Sequence, residues 1–170
     1  MIVVGVAGLP GSGKTVVTSL FVKRGFKPYT MGDVIRRYAE YKGVTPDEAA
    51  ILIRLEGGMR AVVRGLGVGR DDRIVVDGLR SLEEAEAFEE TFGRLFLVYV
   101  VASRETRMKR LITRGRADDP ITYAQFAMRE YREIRLGVTA LLSRADAIIV
   151  NENKSIEDLE AEVDEIVKRL

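Results

Sequence analysis

Residues 8–15 read Gly8-Leu9-Pro10-Gly11-Ser12-Gly13-Lys14-Thr15, directly after the apolar run Ile2-Val3-Val4-Gly5-Val6-Ala7 and before a pattern of Val16, Val17, Leu20 and Phe21. A short apolar run that stops at a glycine reads as a buried strand, and apolar positions at 16, 17, 20 and 21 have helical spacing. The segment between them must turn a strand sharply into a helix. Glycines at 8, 11 and 13 allow the backbone conformations that aim successive N–H groups at one point. The following helix brings the positive end of its dipole to the same place. Such a point binds anions, phosphate above all.

Gly8-x-x-x-x-Gly13-Lys14-Thr15 satisfies the P-loop pattern in full. All eight residues, Gly8, Leu9, Pro10, Gly11, Ser12, Gly13, Lys14 and Thr15, are therefore expected to bind a nucleotide's phosphates. Lys14 supplies a cation for the β and γ phosphates, and the Thr15 hydroxyl is suited to ligate Mg²⁺. Asp77 closes the apolar run 73–77, where a neighbouring parallel strand would set it beside Thr15 as a second metal residue. The plainer reading of Asp77 is a strand-terminal carboxylate in a turn with Gly78. ATP is the expected donor, because the guanine-selecting Asn-Lys-x-Asp signature is missing: Asn153-Lys154 is followed by Ser155-Ile156.

There is no cysteine and no histidine. Disulfides, Cys/His metal sites, thiol nucleophiles and an imidazole base are excluded, which leaves carboxylates, Lys, Arg, hydroxyls and a borrowed metal ion for any chemistry. Arginine outnumbers lysine 20 to 7. That is either a compositional habit or polyphosphate handling, and only position separates the two. With 170 residues, 46% of them hydrophobic, the chain suits one domain over 1–170. A net charge of +1 argues against nucleic acid or a membrane surface as a partner. No run approaches the roughly 18 apolar residues that span a bilayer, and no basic segment precedes the first strand. A cytoplasmic protein, monomeric or homodimeric, is expected.

Strand-like runs at 2–7, 28–30, 73–77, 95–101 and 147–150 alternate with longer helical patterns, and the last three are apolar without alternation, as in parallel strands covered on both faces. Helix starts are marked by Thr45-Pro46-Asp47-Glu48, Ser81-Leu82-Glu83-Glu84 and Ser155-Ile156-Glu157-Asp158, with Ser103 and Asp119-Pro120 as further candidate caps. The series is βαβ in character and predicts an α/β fold with right-handed crossovers. Residues about 33–69 hold helical pattern and no strand, with an apolar stripe of Leu52, Leu55, Met59, Val62 and Leu66 interrupted by Gly57-Gly58. They read as an inserted helical region, the stripe serving packing and the glycine pair a hinge.

Several segments together resemble the nucleoside monophosphate kinases and dephospho-CoA kinases, and more closely an archaeal family of adenylate-kinase-related P-loop proteins. Met31-Gly32-Asp33-Val34-Ile35-Arg36 is similar to the Gly-Asp-x-x-Arg stretch that opens the acceptor region of adenylate kinases. Asp77-Gly78-Leu79-Arg80 resembles their Asp-Gly-x-Pro-Arg segment without its proline. Arg114-Gly115-Arg116-x-Asp118-Asp119 resembles the short lid of UMP/CMP-type kinases, here at about 112–122, and Ala145-Asp146-Ala147-Ile148-Ile149-Val150-Asn151 resembles a segment of dephospho-CoA kinases that precedes an adenine-contacting loop.

The resemblance implies a three-layer α/β/α P-loop domain with a five-stranded parallel sheet in the order 2-3-1-4-5. It implies ATP- and Mg²⁺-dependent transfer of the γ-phosphoryl group to a small nucleotide-like acceptor. Arg36 suits an acceptor phosphate by bidentate contact, and Arg80 suits a bridge between acceptor and donor phosphates. Asp33 would hydrogen-bond the acceptor or reach a metal-bound water, or act as a base if the acceptor is a hydroxyl; its bland reading is a helix N-cap. Lys14, Arg80, Arg114 and Arg116 would neutralise the transferring group, with Arg110 and Asn151 on the donor side. Arg129, Arg132 and Arg135 alternate with Glu130 and Glu133 as on a solvated helix, Arg132 being the one tipped for a phosphate. Two other readings stay open: transfer to a hydroxyl acceptor as in dephospho-CoA kinases, and an ATP-hydrolysing switch protein.

Overall fold

The computed structural model describes every residue except Met59, Arg70 and Asp118. Five parallel strands, β1 (Ile2–Ala7), β2 (Lys27–Thr30), β3 (Arg73–Leu79), β4 (Leu95–Val101) and β5 (Ala147–Val150), lie in the order β2-β3-β1-β4-β5. Among the described residues eight α-helices accompany them: α1 (Lys14–Val22), α2 (Met31–Lys42), α3 (Pro46–Gly57), α4 (Ala61–Gly65), α5 (Leu82–Phe92), α6 (Arg104–Arg114), α7 (Tyr123–Leu136) and α8 (Ile156–Val167). The chain has the expected three-layer α/β/α architecture.

The uninterrupted apolar runs of β3 and β4 are explained by two cores. Ile74 and Val76 join Leu95, Leu97 and Tyr99 in one core beneath α2 to α5, whereas Val75 joins Phe96, Val98 and Val100 in the other beneath α1 and α8. β5 departs from the expectation of cover on both faces. It is the sheet edge, with Ile149 buried and Ile148 and Val150 half exposed.

Helix starts at Thr45, Ser81, Ser103 and Ser155 are observed, each hydroxyl accepting the N3 backbone N–H, with full capping boxes at Thr45 and Ser155. Asp119 is not a cap. Thr122 begins α7 through a capping box with Gln125, while Asp119 is drawn off by arginines.

Between β2 and β3 the chain makes three helices. Gly57-Gly58 ends α3, Gly58 taking a positive φ of 76°, so one stripe cannot keep phase across the break. The buried residues are Ala49, Ala50 and Ile53, then Val62, Val63 and Leu66; Leu55 points to solvent and Met59 lies outside the described residues. Among the described residues, no helix is long and apolar enough to cross a membrane.

Candidate functional site

The loop after β1 is shaped by steric need as well as by backbone freedom. Gly8 has φ +148°, and a Cβ there would come within 2.4 Å of the Val100 carbonyl oxygen; at Gly13, φ +99°, it would meet Asn151 Nδ2 at 2.2 Å. No larger residue fits either place. Gly13 is the left-handed N-cap of α1 and offers no side-chain cap, so the first N–H groups of α1 face the cradle without one. Ser12 Oγ is buried with no hydrogen-bond partner among the described residues. An orphaned hydroxyl beside uncapped amides fits an anionic ligand bringing several acceptor oxygens.

Lys14 Nζ donates to the carbonyls of Gly8 (2.8 Å) and Leu9 (3.2 Å), curled over its own loop. Burial pushes the Lys14 ammonium below its ordinary pKa, with Asp77 pulling the other way. Thr15 Oγ1 donates to Asp77 Oδ2 at 3.2 Å. The sheet register makes this contact: Asp77 pairs with Val6 on β1 and with Thr30 on β2, at the loop-bearing ends of the strands. Burial raises the Asp77 pKa, opposed by Lys14 and by the Thr15 hydrogen bond. Thr15 and Asp77 offer hard oxygen ligands suited to Mg²⁺, whose remaining positions are commonly filled by phosphate and water. Among the described residues no cluster of three acidic side chains forms a self-sufficient metal cage.

A cavity of about 350 Å³ opens over the loop, lined by Gly8, Pro10, Gly11, Lys14, Thr15 and Asp77 on one side and by Arg36, Arg80, Arg114, Arg116, Arg129 and Glu133 on the other. A second cavity of about 200 Å³, bounded by Ile35, Thr45, Pro46, Asp47, Ala50, Arg132 and Leu136, shares Gly32, Arg36, Arg80, Arg129 and Glu133 with the first. The shared arginines border both compartments.

The expected residues fall into three groups. Arg36, Arg80, Arg114 and Arg116 come together with Lys14, Thr15 and Asp77 around the first cavity. Arg80 reaches it without the proline of the related segment: Gly78, φ +91°, takes up a register shift opposite Val6 and Ala7, and Nε then meets Glu133 Oε2 at 3.1 Å.

Arg110 and Asn151 brace the loop from behind. The Arg110 guanidinium donates to the carbonyls of Ser12 (3.2 Å) and Asn151 (2.9 Å), and buried Asn151 Nδ2 donates to the Ser12 carbonyl at 2.9 Å. Asp33 does not reach the cavity. Thr30, not Asp33, is the N-cap of α2, which puts Gly32 and Arg36 one turn apart on the cavity face and turns Asp33 about 100° away. There it pairs with Arg36, both side chains being exposed.

Residues 4–136 match the AAA domain family. A UPF0200 protein from Pyrobaculum aerophilum is 52% identical over 170 residues, an alignment covering 99% of this chain and 98% of that protein. The chain belongs to the UPF0200 family of AAA-domain proteins. Another UPF0200 protein, from Hyperthermus butylicus, is 38% identical over 174 residues, covering 97% of this chain and 92% of that one. Among solved structures, TT1252 from Thermus thermophilus superposes with TM-score 0.68 at 20% identity, covering 99% and 97% of the two chains. Shikimate kinase from Aquifex aeolicus does so with TM-score 0.57 at 16% identity, covering 98% and 96%. At such identities the likeness is one of fold, and the fold is that of P-loop kinase-like proteins. A domain of this class implies nucleotide binding.

In this UPF0200 chain two residues of the site stood on a helix that reads as solvated. Arg129 and Glu133 of α7 line both cavities, whereas Arg132 lines only the second and pairs with Asp47. The signal was present: 126, 129 and 133 share a helix face, and Phe126 on it is fully buried. Asp119 accepts Arg114 Nε at 2.8 Å and Arg129 Nη1 at 3.1 Å, so it gathers two cavity-lining arginines. Arg114 beside it holds the Asp119 carboxyl down at about 2. Asp118, expected in the lid, lies outside the described residues.

Proposed function

We propose that this chain is an ATP- and Mg²⁺-dependent phosphotransferase that moves the γ-phosphoryl group to a small nucleotide-like acceptor bearing a phosphate. The observation that carries the reading is that a second cavity adjoins the first, with Arg36, Arg80 and Arg129 lining both. A hydrolase needs the phosphate cradle and a placed water. It has no use for a second compartment entered past three guanidinium groups.

On this reading the loop amides and Lys14 hold the donor's β and γ phosphates, and Thr15 and Asp77 hold the metal. Mg²⁺ held there would supply positive charge against the charge developing on the donor phosphate. Arg80, at the junction, contacts donor and acceptor phosphates together; Arg36 and Arg129 bind the acceptor's phosphate; Arg114 and Arg116 cover the transferring group. Catalysis is then positioning plus charge neutralisation, which needs no general base.

A phosphate acceptor is favoured over a hydroxyl by the state of the carboxylates. A hydroxyl acceptor calls for a base, yet Asp33 is outside the cavity and Glu133 is engaged by Arg80. The test is a phosphotransfer screen with MgATP against nucleoside monophosphates, nucleosides and dephospho-CoA, read by product mass. A phosphorylated monophosphate is the expected product; transfer only to hydroxyl acceptors would overturn the preference.

A further inference from the structure

Arg54 of α3 and Glu84 of α5 form an ion pair inside the protein, with side chains 5% and 0% exposed and Nη2 to Oε1 at 2.5 Å. The other buried residues of α3 and α5, Ala49, Ala50, Ile53, Ala85, Ala87 and Phe88, are apolar. Desolvating two charges generally costs as much as their attraction returns, so apolar residues of similar volume would stabilise such a core as well or better. Packing does not explain the pair.

Its remaining contacts do. Glu84 Oε2 accepts the backbone N–H of Arg80 at 2.8 Å, and Arg54 Nη1 donates to the Ala50 carbonyl at 2.6 Å. Arg80 carries the guanidinium at the junction of the cavities, and Ala50 belongs to the wall of the second, beside Thr45, Pro46 and Asp47. The two carboxylate oxygens thus join the helix forming the acceptor wall to the backbone of the phosphate-facing arginine.

We propose that buried Glu84, its charge balanced by Arg54, is a positioning residue that fixes Arg80 by accepting its backbone N–H, an inference that rests on the phosphotransferase reading. Glu84 does not touch substrate; it acts through Arg80. If Arg80 shifts, the acceptor phosphate is presented at the wrong distance and angle, while the donor's loop, on another strand, is unchanged.

Two double variants separate positioning from stability. Arg54→Met/Glu84→Leu fills the space with apolar atoms but leaves the Arg80 N–H without its acceptor. Arg54→Met/Glu84→Gln removes both charges yet keeps a side-chain carbonyl for that N–H. The apolar pair is expected to melt at or above the wild-type Tm while kcat/KM for the acceptor falls about ten- to a hundredfold.

The Gln pair is expected to keep the acceptor kcat/KM within about threefold of wild type. Wild-type acceptor kinetics in the apolar pair, or equal losses in both, would overturn the proposal. If the apolar pair does not fold, Arg54→Met/Glu84→Met makes the same comparison. If wild-type protein transfers to no acceptor, the functional reading fails, and hydrogen exchange at the Arg80 amide decides the positioning claim. Protection should drop about tenfold or more in the apolar pair and hold in the Gln pair; equal protection in both overturns it.

Discussion

The Thr15 hydroxyl donates to Asp77 Oδ2 across 3.2 Å, tying the first turn of α1 to the end of β3. Asp77 is nearly buried, and that burial holds its pKa above the ordinary carboxylate value despite Lys14 close by. The site keeps a charge that the folded chain by itself disfavours, as functional sites commonly do.

Asp77→Asn should therefore divide function from stability. A raised folded pKa means that the native state prefers the protonated carboxyl, so wild type carries a penalty at neutral pH that fades as pH falls towards about 4. We expect Asp77→Asn to raise Tm at pH 7, with the gain gone near pH 4, and to lower Mg²⁺-dependent turnover about a hundredfold or more. Thermal melts across pH, beside steady-state assays, check both halves.

Asp119 has the opposite sign. Arg114 and Arg129 depress its pKa to about 2, so its contribution is complete above the ordinary carboxylate value and is lost as pH falls from about 4 to about 2. Asp119→Asn should lower Tm by a few degrees at pH 7 and by nothing near pH 2. By releasing Arg114 and Arg129 it should also lower kcat about tenfold, measured by saturating both substrates. A Tm deficit that persists unchanged to pH 2 would contradict the assignment.

Arg36 and Asp33 are ion-paired but not equivalent. Arg36 lines both cavities and Asp33 lines neither. Arg36→Met is expected to raise the acceptor KM about tenfold with little change for ATP, while Asp33→Asn stays within about threefold of wild type in kcat. Collapse of kcat in Asp33→Asn with acceptor binding intact would restore Asp33 as a base and the hydroxyl acceptor with it.

The donor side was legible because its determinants are local. Gly8 to Thr15 sit within one strand–loop–helix unit, and their spacing alone dictates amides facing a phosphate. Asp77 needed one further inference, that its strand neighbours β1. The second cavity is assembled from α2, α3, α7 and the end of β3, and sequence order gives no distances between helices. Arg129 and Glu133 were thus hidden in an alternating-charge helix, and Arg132 stood out no less than Arg129.

Arg110 and Asn151, expected on the donor side, hydrogen-bond to carbonyls of the phosphate loop. The Arg54–Glu84 pair carried no local sign at all. Both residues look like surface charges until the helices are packed.

On the proposed function the phosphoryl group passes to an acceptor and not to water, with Lys14 in the cradle. The most direct measurement counts ADP and phosphorylated acceptor together, by mass, for wild type and Lys14→Met with MgATP and a nucleoside monophosphate panel. Wild type is expected to give one phosphorylated acceptor per ADP, and Lys14→Met, with its fold intact, at least about a hundredfold less of both. ADP and free phosphate formed at the same rate with or without every acceptor, or full transfer by Lys14→Met, would contradict it.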